Sequence, residues 1–152
     1  MLRQRLNDEL KAALKAKETR RLSTIRLILA ALKDRDINAR TADSREGISD
    51  DDIMNMLQTM VRQRRESIAL YEQGGRADLA EQEQEEIAVI ESFLPKQLSD
   101  TEIAEVARRV IGEIGAKGIK DMGRTIAALK QSYAGQMDFS KAATVVKQLL
   151  TA

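Results

Sequence analysis

A single proline stands in this chain of 152 residues, and on both sides of it apolar side chains recur every three or four positions. That period belongs to amphipathic helices, and no stretch alternates at the period of two that a half-buried strand requires. The chain therefore reads as all-α. Pro95 restricts the residue before it and donates no backbone hydrogen bond, so it marks the break between an N-terminal region, 1–94, and a smaller C-terminal lobe, 95–152.

The N-terminal region reads as four helices in a bundle-like arrangement. Residues 2–16 place Leu2, Leu6, Leu10, Ala13 and Leu14 on one stripe, and residues 19–38 do the same with Leu22, Ile25, Ile28, Leu29 and Leu32. These two segments make either an antiparallel hairpin hinged near Lys17-Glu18-Thr19 or one bent helix. Residues 39–48 have no period and read as a mobile loop. Ser49 with Asp52 forms a capping box for a third helix striped by Ile53, Met56, Leu57, Met60, Val61, Arg64 and Ile68, which Gly74-Gly75 ends. Asp78 opens a fourth, whose first half, with Glu81, Glu83, Glu85 and Glu86, should face solvent.

After Pro95 the pattern gives three short helices. Ser99 and Glu102 form a second capping box, ahead of Ile103, Val106, Ala107, Val110, Ile111 and Ile114. Asp121 is expected to cap 122–133 and Asp138 to cap 139–150, with Gly115, Gly118 and Gly135 in the turns. A lobe of this size buries little core, so packing against the N-terminal region or a partner is expected.

Composition narrows the chemistry. The chain has no Cys, His or Trp and only four aromatic residues. Disulfides, zinc and iron–sulfur sites, thiol nucleophiles and His-based triads are excluded within this chain, and a base-stacking platform nearly so. No apolar run reaches the ~20 residues that span a bilayer. The start carries acids among its apolar residues and does not resemble an export signal, so a cytoplasmic protein without a membrane role is expected. No cofactor and no metal are expected: Glu81 and Glu85 stand at i,i+4, but a solvated helix face explains them better, and capping electrostatics explain Asp50-Asp51-Asp52. Ser23 and Ser67 lack a neighbouring base, and no catalytic residue is assigned. The glycines at 112, 115, 118 and 123 do not form a phosphate loop. Gly123 sits inside an expected helix at a cost in stability, which a close backbone approach, internal or to a ligand, would account for.

The net charge is +1, but it is unevenly spread. Residues 1–40 carry 11 basic and 5 acidic groups, residues 78–91 carry acids alone, and from Pro95 onward there are 9 basic and 6 acidic groups. Basic groups are the best functional lead. Lys120, Arg124, Lys130, Lys141 and Lys147 recur over the last two helices, and Arg62, Arg64 and Arg65 form a possible second basic patch on the third. Such residues can position a phosphate backbone, and recognition of RNA by shape needs few aromatics.

Several segments resemble the GatB/YqeY family along the whole chain. They are Arg21-Leu22-Ser23-Thr24-Ile25-Arg26, Arg62-Gln63-Arg64-Arg65-Glu66-Ser67, Gly75-Arg76-Ala77-Asp78-Leu79-Ala80, Phe93-Leu94-Pro95-Lys96-Gln97-Leu98-Ser99, Lys120-Asp121-Met122-Gly123 and Val145-Val146-Lys147-Gln148-Leu149-Leu150. The resemblance implies an all-helical protein similar to the tail of the B subunit of the tRNA-dependent amidotransferase. In that enzyme the tail contacts tRNA and a separate domain catalyses. It also implies a family label of carbon–nitrogen ligase with glutamine as amido-N-donor, although this chain has no room for the catalytic part. Gly123 stands at the family's glycine, on the surface expected to face tRNA. Where many members carry Asp-Gly before the last helix, this chain has Asp138-Phe139-Ser140. The expectation is a non-catalytic, tRNA- or RNA-associated helical adaptor, whose surface comprises Lys120, Gly123, Arg124, Lys130, Lys141 and Lys147. The alternative is a protein–protein interaction module using the stripe of Met54, Met56 and Met60 or the Glu-rich face.

Overall fold

A computed structural model describes residues 1–41 and 44–152. Among these residues the fold is all-helical, with seven α-helices: α1 (Leu2–Ala16), α2 (Thr19–Asn38), α3 (Asp50–Gln73), α4 (Ala77–Glu91), α5 (Asp100–Ile114), α6 (Met122–Tyr133) and α7 (Phe139–Thr151). A 3-10 turn, Ile119–Asp121, precedes α6. The chain divides into two compact units, Met1–Leu94 and Pro95–Ala152.

In the first unit α1 and α2 form a hairpin. Lys17 adopts the left-handed conformation (φ 56°, ψ 35°), and the Glu18 amide donates back to the Ala13 carbonyl at 3.1 Å. Lys17 thus ends α1 in the role glycine usually fills. α3 and α4 form a second, longer hairpin through Gly74-Gly75, where Gly75 has φ 70° and the Arg76 amide bonds the Tyr71 carbonyl at 2.8 Å. Leu6, Ile25, Ile28, Ile53, Leu57, Ile87 and Ile90 are fully buried between the four helices, and Phe93 is all but so. Leu14, assigned by period to the apolar stripe of α1, is instead exposed, because α1 is already ending there.

The segment after α2 departs from the mobile loop expected. Residues 42 and 43 lie outside the described residues, but the far end of the loop is tied down. The Ile48 amide donates to Asp36 Oδ1 at 2.9 Å, and Arg3, paired with the same carboxylate, donates to the Ile48 carbonyl at 2.9 Å. Gly47 lies against this pair: a Cβ there would stand 2.6 Å from Asp36 Oδ1 and still closer to the Arg3 guanidinium. Arg3 holds the Asp36 carboxyl below its ordinary range, and the Ile48 amide contributes.

In the second unit the Ser99–Glu102 capping box is complete, and Gly115 (φ 66°) ends α5. Asp100 at the start of α5 pairs with Lys141 in the first turn of α7, while Arg124 at the start of α6 reaches the Ile114 carbonyl at the end of α5. Hence α5 and α7 run parallel and α6 runs against both. Ala107, Leu129, Ala142 and Val146 are fully buried at the centre. Asp138 caps α7 by accepting the Ser140 amide.

Three of the expected caps differ. Ser49 caps α3 by accepting the Asp52 amide at 3.2 Å, but no return bond from Asp52 completes a capping box among the described residues. Asp121 makes no side-chain cap to α6, because its carboxylate accepts the Lys117 amide at 2.9 Å. Arg76, not Asp78, stands at the N-cap of α4, and Asp78 pairs with it.

Candidate nucleic-acid interface

The antiparallel course of α6 sorts the cations of the second unit by end. One end gathers the C-terminus of α5, the 115–121 turn, the start of α6 and the end of α7. Lys117, Lys120 and Arg124 belong to it, and the 3-10 turn that carries Lys120 packs on α7. The opposite end gathers Lys130 and Lys141. The six residues expected to share a surface are thus divided between two ends.

Their surroundings divide them further. Lys130 Nζ lies over the Phe139 ring, 5.9 Å from its centroid. Lys141 is paired with Asp100. Arg124 bonds the Ile114 carbonyl at 2.8 Å and the Asp121 carboxylate at 3.2 Å, so its guanidinium closes the C-terminus of α5 while remaining half exposed. Lys120 and Lys147 are exposed and paired with no carboxylate among the described residues. On α7, Lys147 stands six residues after Lys141, about 120° round the helix, so these two do not share a face.

Asp121 organises the first end. The Lys117 amide holds its carboxyl below the ordinary aspartate range, and Arg124 contributes in the same direction. Its negative charge is therefore fixed at neutral pH and directed at the turn and at Arg124, which leaves Lys117 and Lys120 as the cations with no partner there. Lys117 was not among the expected residues. Its position between Gly115 and Gly118, in a turn joining two capped helices, is the signal that could have found it.

Gly123 has no internal reason to be glycine. It is exposed in the first turn of α6, its backbone is ordinary for a helix, and a Cβ built there would meet nothing within 4 Å. The internal close approach is therefore excluded for this residue among the described atoms.

The second basic patch is differently placed. Arg64 is largely buried and bonds Glu86 at 3.0 Å, with Glu83 at 3.9 Å. Arg65 reaches Glu91 at 3.4 Å, and Arg62 is also engaged. Arg64 and Arg65 thus join α3 to α4. The acidic side of α4 is correspondingly not all solvated: Glu86 is buried, Glu83 half-buried, and Glu85 bonds Arg20 at 3.0 Å. Burial pushes the Glu83 carboxyl above its ordinary range, and the neighbouring Glu86 adds to this. Met56 and Met60 are buried in the core, so the methionine stripe does not form a docking groove. Among the described residues no cluster of three possible metal ligands occurs, and no helix is long and apolar enough to cross a membrane.

A family model described as Yqey-like protein matches residues 3–150. Three curated relatives are named altered inheritance of mitochondria protein 41, mitochondrial. The one from Kluyveromyces lactis is 32% identical over 58% of this chain and 45% of its own length. The one from Lachancea thermotolerans is 33% identical over 69% of this chain and 54% of its own length. The one from Clavispora lusitaniae is 33% identical over 73% and 63%. The chain thus spans about half the length of the first two.

Proposed function

We propose that this chain, which belongs to the YqeY-like protein family, is a non-catalytic adaptor that binds tRNA or a similarly structured RNA through the α5–α6 end of its second unit. Lys117 and Lys120 supply charge to the phosphate backbone, Arg124 holds the turn in shape, and Gly123 lets a sugar–phosphate strand approach the start of α6. The observation that carries the reading is the bare, exposed Gly123 beside an uncompensated Lys120. A glycine inside a helix costs about 1 kcal/mol relative to alanine, and open space around this one leaves an external approach as its explanation.

Supporting this is the family's likeness to an amidotransferase tail that contacts tRNA. The relatives' names place those proteins in mitochondria, whereas a cytoplasmic location for this chain belongs to the proposal. No carbon–nitrogen ligase step is assigned to residues of this chain.

The test is a tRNA-binding titration across salt. Binding through a few phosphates weakens linearly in the logarithm of salt concentration, with a slope of about −0.9 per phosphate neutralised on a duplex. Lys120→Glu is expected to reduce both affinity and slope. Gly123→Gln is expected to weaken binding while raising thermal stability, a combination that a purely structural glycine would not give. Affinity unchanged by both substitutions would overturn the reading.

A further inference from the structure

Of the sixteen Lys and Arg residues of the first unit, six are held in ion pairs and a larger set is exposed. Arg3, Arg20, Arg21, Arg64, Arg65 and Arg76 are paired with carboxylates. Arg26, Lys33 and Arg40 are among those exposed without an ion pair among the described residues, although the Arg40 charge also acts on the Asp36 carboxylate. They stand seven residues apart, so on α2 and the turn that prolongs it they form one slowly winding line, with a step of about 10.5 Å and a drift of about 20° per step. Exposed Ala30 and Ile37 fill the same line at the intervening helical positions. The Arg40 amide bonds the Ile37 carbonyl at 3.2 Å, which carries the line two residues past the end of the helix.

Beside this line runs an open cleft between α1 and α2, about 250 Å³ in volume. Leu29, Leu32 and Ile37 line it together with Asn7, the paired Arg3 and Asp36, Lys33 and Arg40. A concave hole, apolar along Leu29, Leu32 and Ile37 and bordered by the Arg3–Asp36 pair and by two further cations, thus lies beside α2.

We propose that this face of the α1–α2 hairpin docks an acidic amphipathic helix of a protein partner, one that carries carboxylates every seventh residue and an apolar side chain between them. Three features select this occupant. The alternating four- and three-residue spacing of Arg26, Ala30, Lys33, Ile37 and Arg40 is that of a coiled-coil seam, and it matches a helix lying alongside. Cations stand at every second position of the seam, Arg26 and Lys33 without an ion pair and Arg40 only beside Asp36, and they favour opposing carboxylates at the same seven-residue repeat. The cleft receives one apolar knob of the partner between Lys33 and Arg40. A nucleic-acid strand presents phosphates far more densely, about one per 3.4 Å of duplex axis per strand, and has no use for Ile37 or the apolar hole. This surface belongs to the first unit and the α5–α6 end to the second, and its occupant is inferred independently of RNA binding there.

The test uses the full chain and a labelled synthetic peptide of about three heptads, with Glu at every seventh position and Leu at the intervening seam positions. A scrambled peptide of equal composition and tRNA serve as the other probes. The ordered peptide is expected to bind about tenfold more tightly than the scrambled one. Lys33→Glu is expected to weaken the ordered peptide about tenfold, Lys33→Gln by less, and Ile37→Ser several-fold. The substituted positions are exposed, so thermal melts should be unchanged, and the Gln variant removes charge without adding repulsion. Equal binding of the two peptides, or indifference to both Lys33 variants, would overturn the proposal. So would loss of tRNA affinity on Lys33→Glu together with no peptide binding, which would make the face an RNA contact.

Discussion

The two units use basic residues in opposite ways. In the first, most arginines are structural, Arg26 and Arg40 being exceptions: Arg64 is buried against Glu86 and Glu83, Arg21 bonds Glu9 at 2.9 Å, and Arg5 and Arg21 both lie over the Phe93 ring at 5.2 and 5.4 Å. In the second, Arg124 and Lys141 alone among the described residues form ion pairs, and Lys117, Lys120 and Lys147 extend into solvent. The planar fork of arginine suits fixed, desolvated pairing, whereas lysine is a mobile, hydrated charge suited to an external partner. Counting basic residues along a sequence therefore says little about where a positive surface lies. What decides it is which helices bring carboxylates within reach.

The comparison is broken most sharply at Arg64. Arg64→Ala leaves the Glu86 carboxylate buried without its partner, and a loss of about 3 kcal/mol in urea unfolding is expected. Arg64→Met combined with Glu86→Leu should restore most of it. A loss below about 0.5 kcal/mol for the single substitution would show the pair to be no more than a surface contact.

The glycines sharpen the contrast. Gly47→Ala drives a methyl against the ends of the Arg3 and Asp36 side chains, which must shift, with an expected loss of up to about 1 kcal/mol. Gly123→Ala meets nothing and should gain up to about 1 kcal/mol. Equal effects of the same sign would mean that packing does not distinguish the two positions.

A smaller effect concerns pH. Because the folded pKa of Glu83 is raised, its contribution to stability is present below the ordinary glutamate pKa and lost as pH rises through the folded value. Glu83→Gln should therefore stabilise the protein at pH 7, by less than about 1 kcal/mol, with the gain vanishing near pH 4. Asp36 behaves oppositely. Its folded pKa is lowered, so the stability it supplies is present at neutral pH and disappears as pH falls through that folded value. Asp36→Asn should flatten the acid limb of the unfolding profile. Smaller still, Lys17→Gly should stabilise the α1–α2 turn by less than about 1 kcal/mol, because glycine adopts its left-handed backbone without strain.

What the sequence made legible was local. The bounds of α1 and α2 followed from apolar period, and the start of α5 from Ser99 and Glu102, because both signals lie within one or two turns of the residues they govern. Partners across helices were not legible. Arg64 sits on the apolar stripe of α3, and an arginine on such a stripe demands a buried acid, yet nothing local names Glu86, 22 residues away. Gly47 has no period to explain it, since its reason is a pair formed by residues 33 apart. At the candidate site, Lys120 and Gly123 could be chosen from the sequence. The division of the other lysines between opposite ends could not, because it depends on α6 running against α5 and α7.

The most direct test of the account compares the two ends of the second unit in tRNA binding at one fixed salt concentration. Lys117→Glu combined with Lys120→Glu should lower affinity at least about tenfold, as expected when two phosphate contacts become repulsive. Lys130→Glu combined with Lys141→Glu, at the opposite end, should change affinity less than about twofold. Equal losses from the two pairs, or a loss confined to the second, would contradict the assignment of the α5–α6 end as the RNA contact.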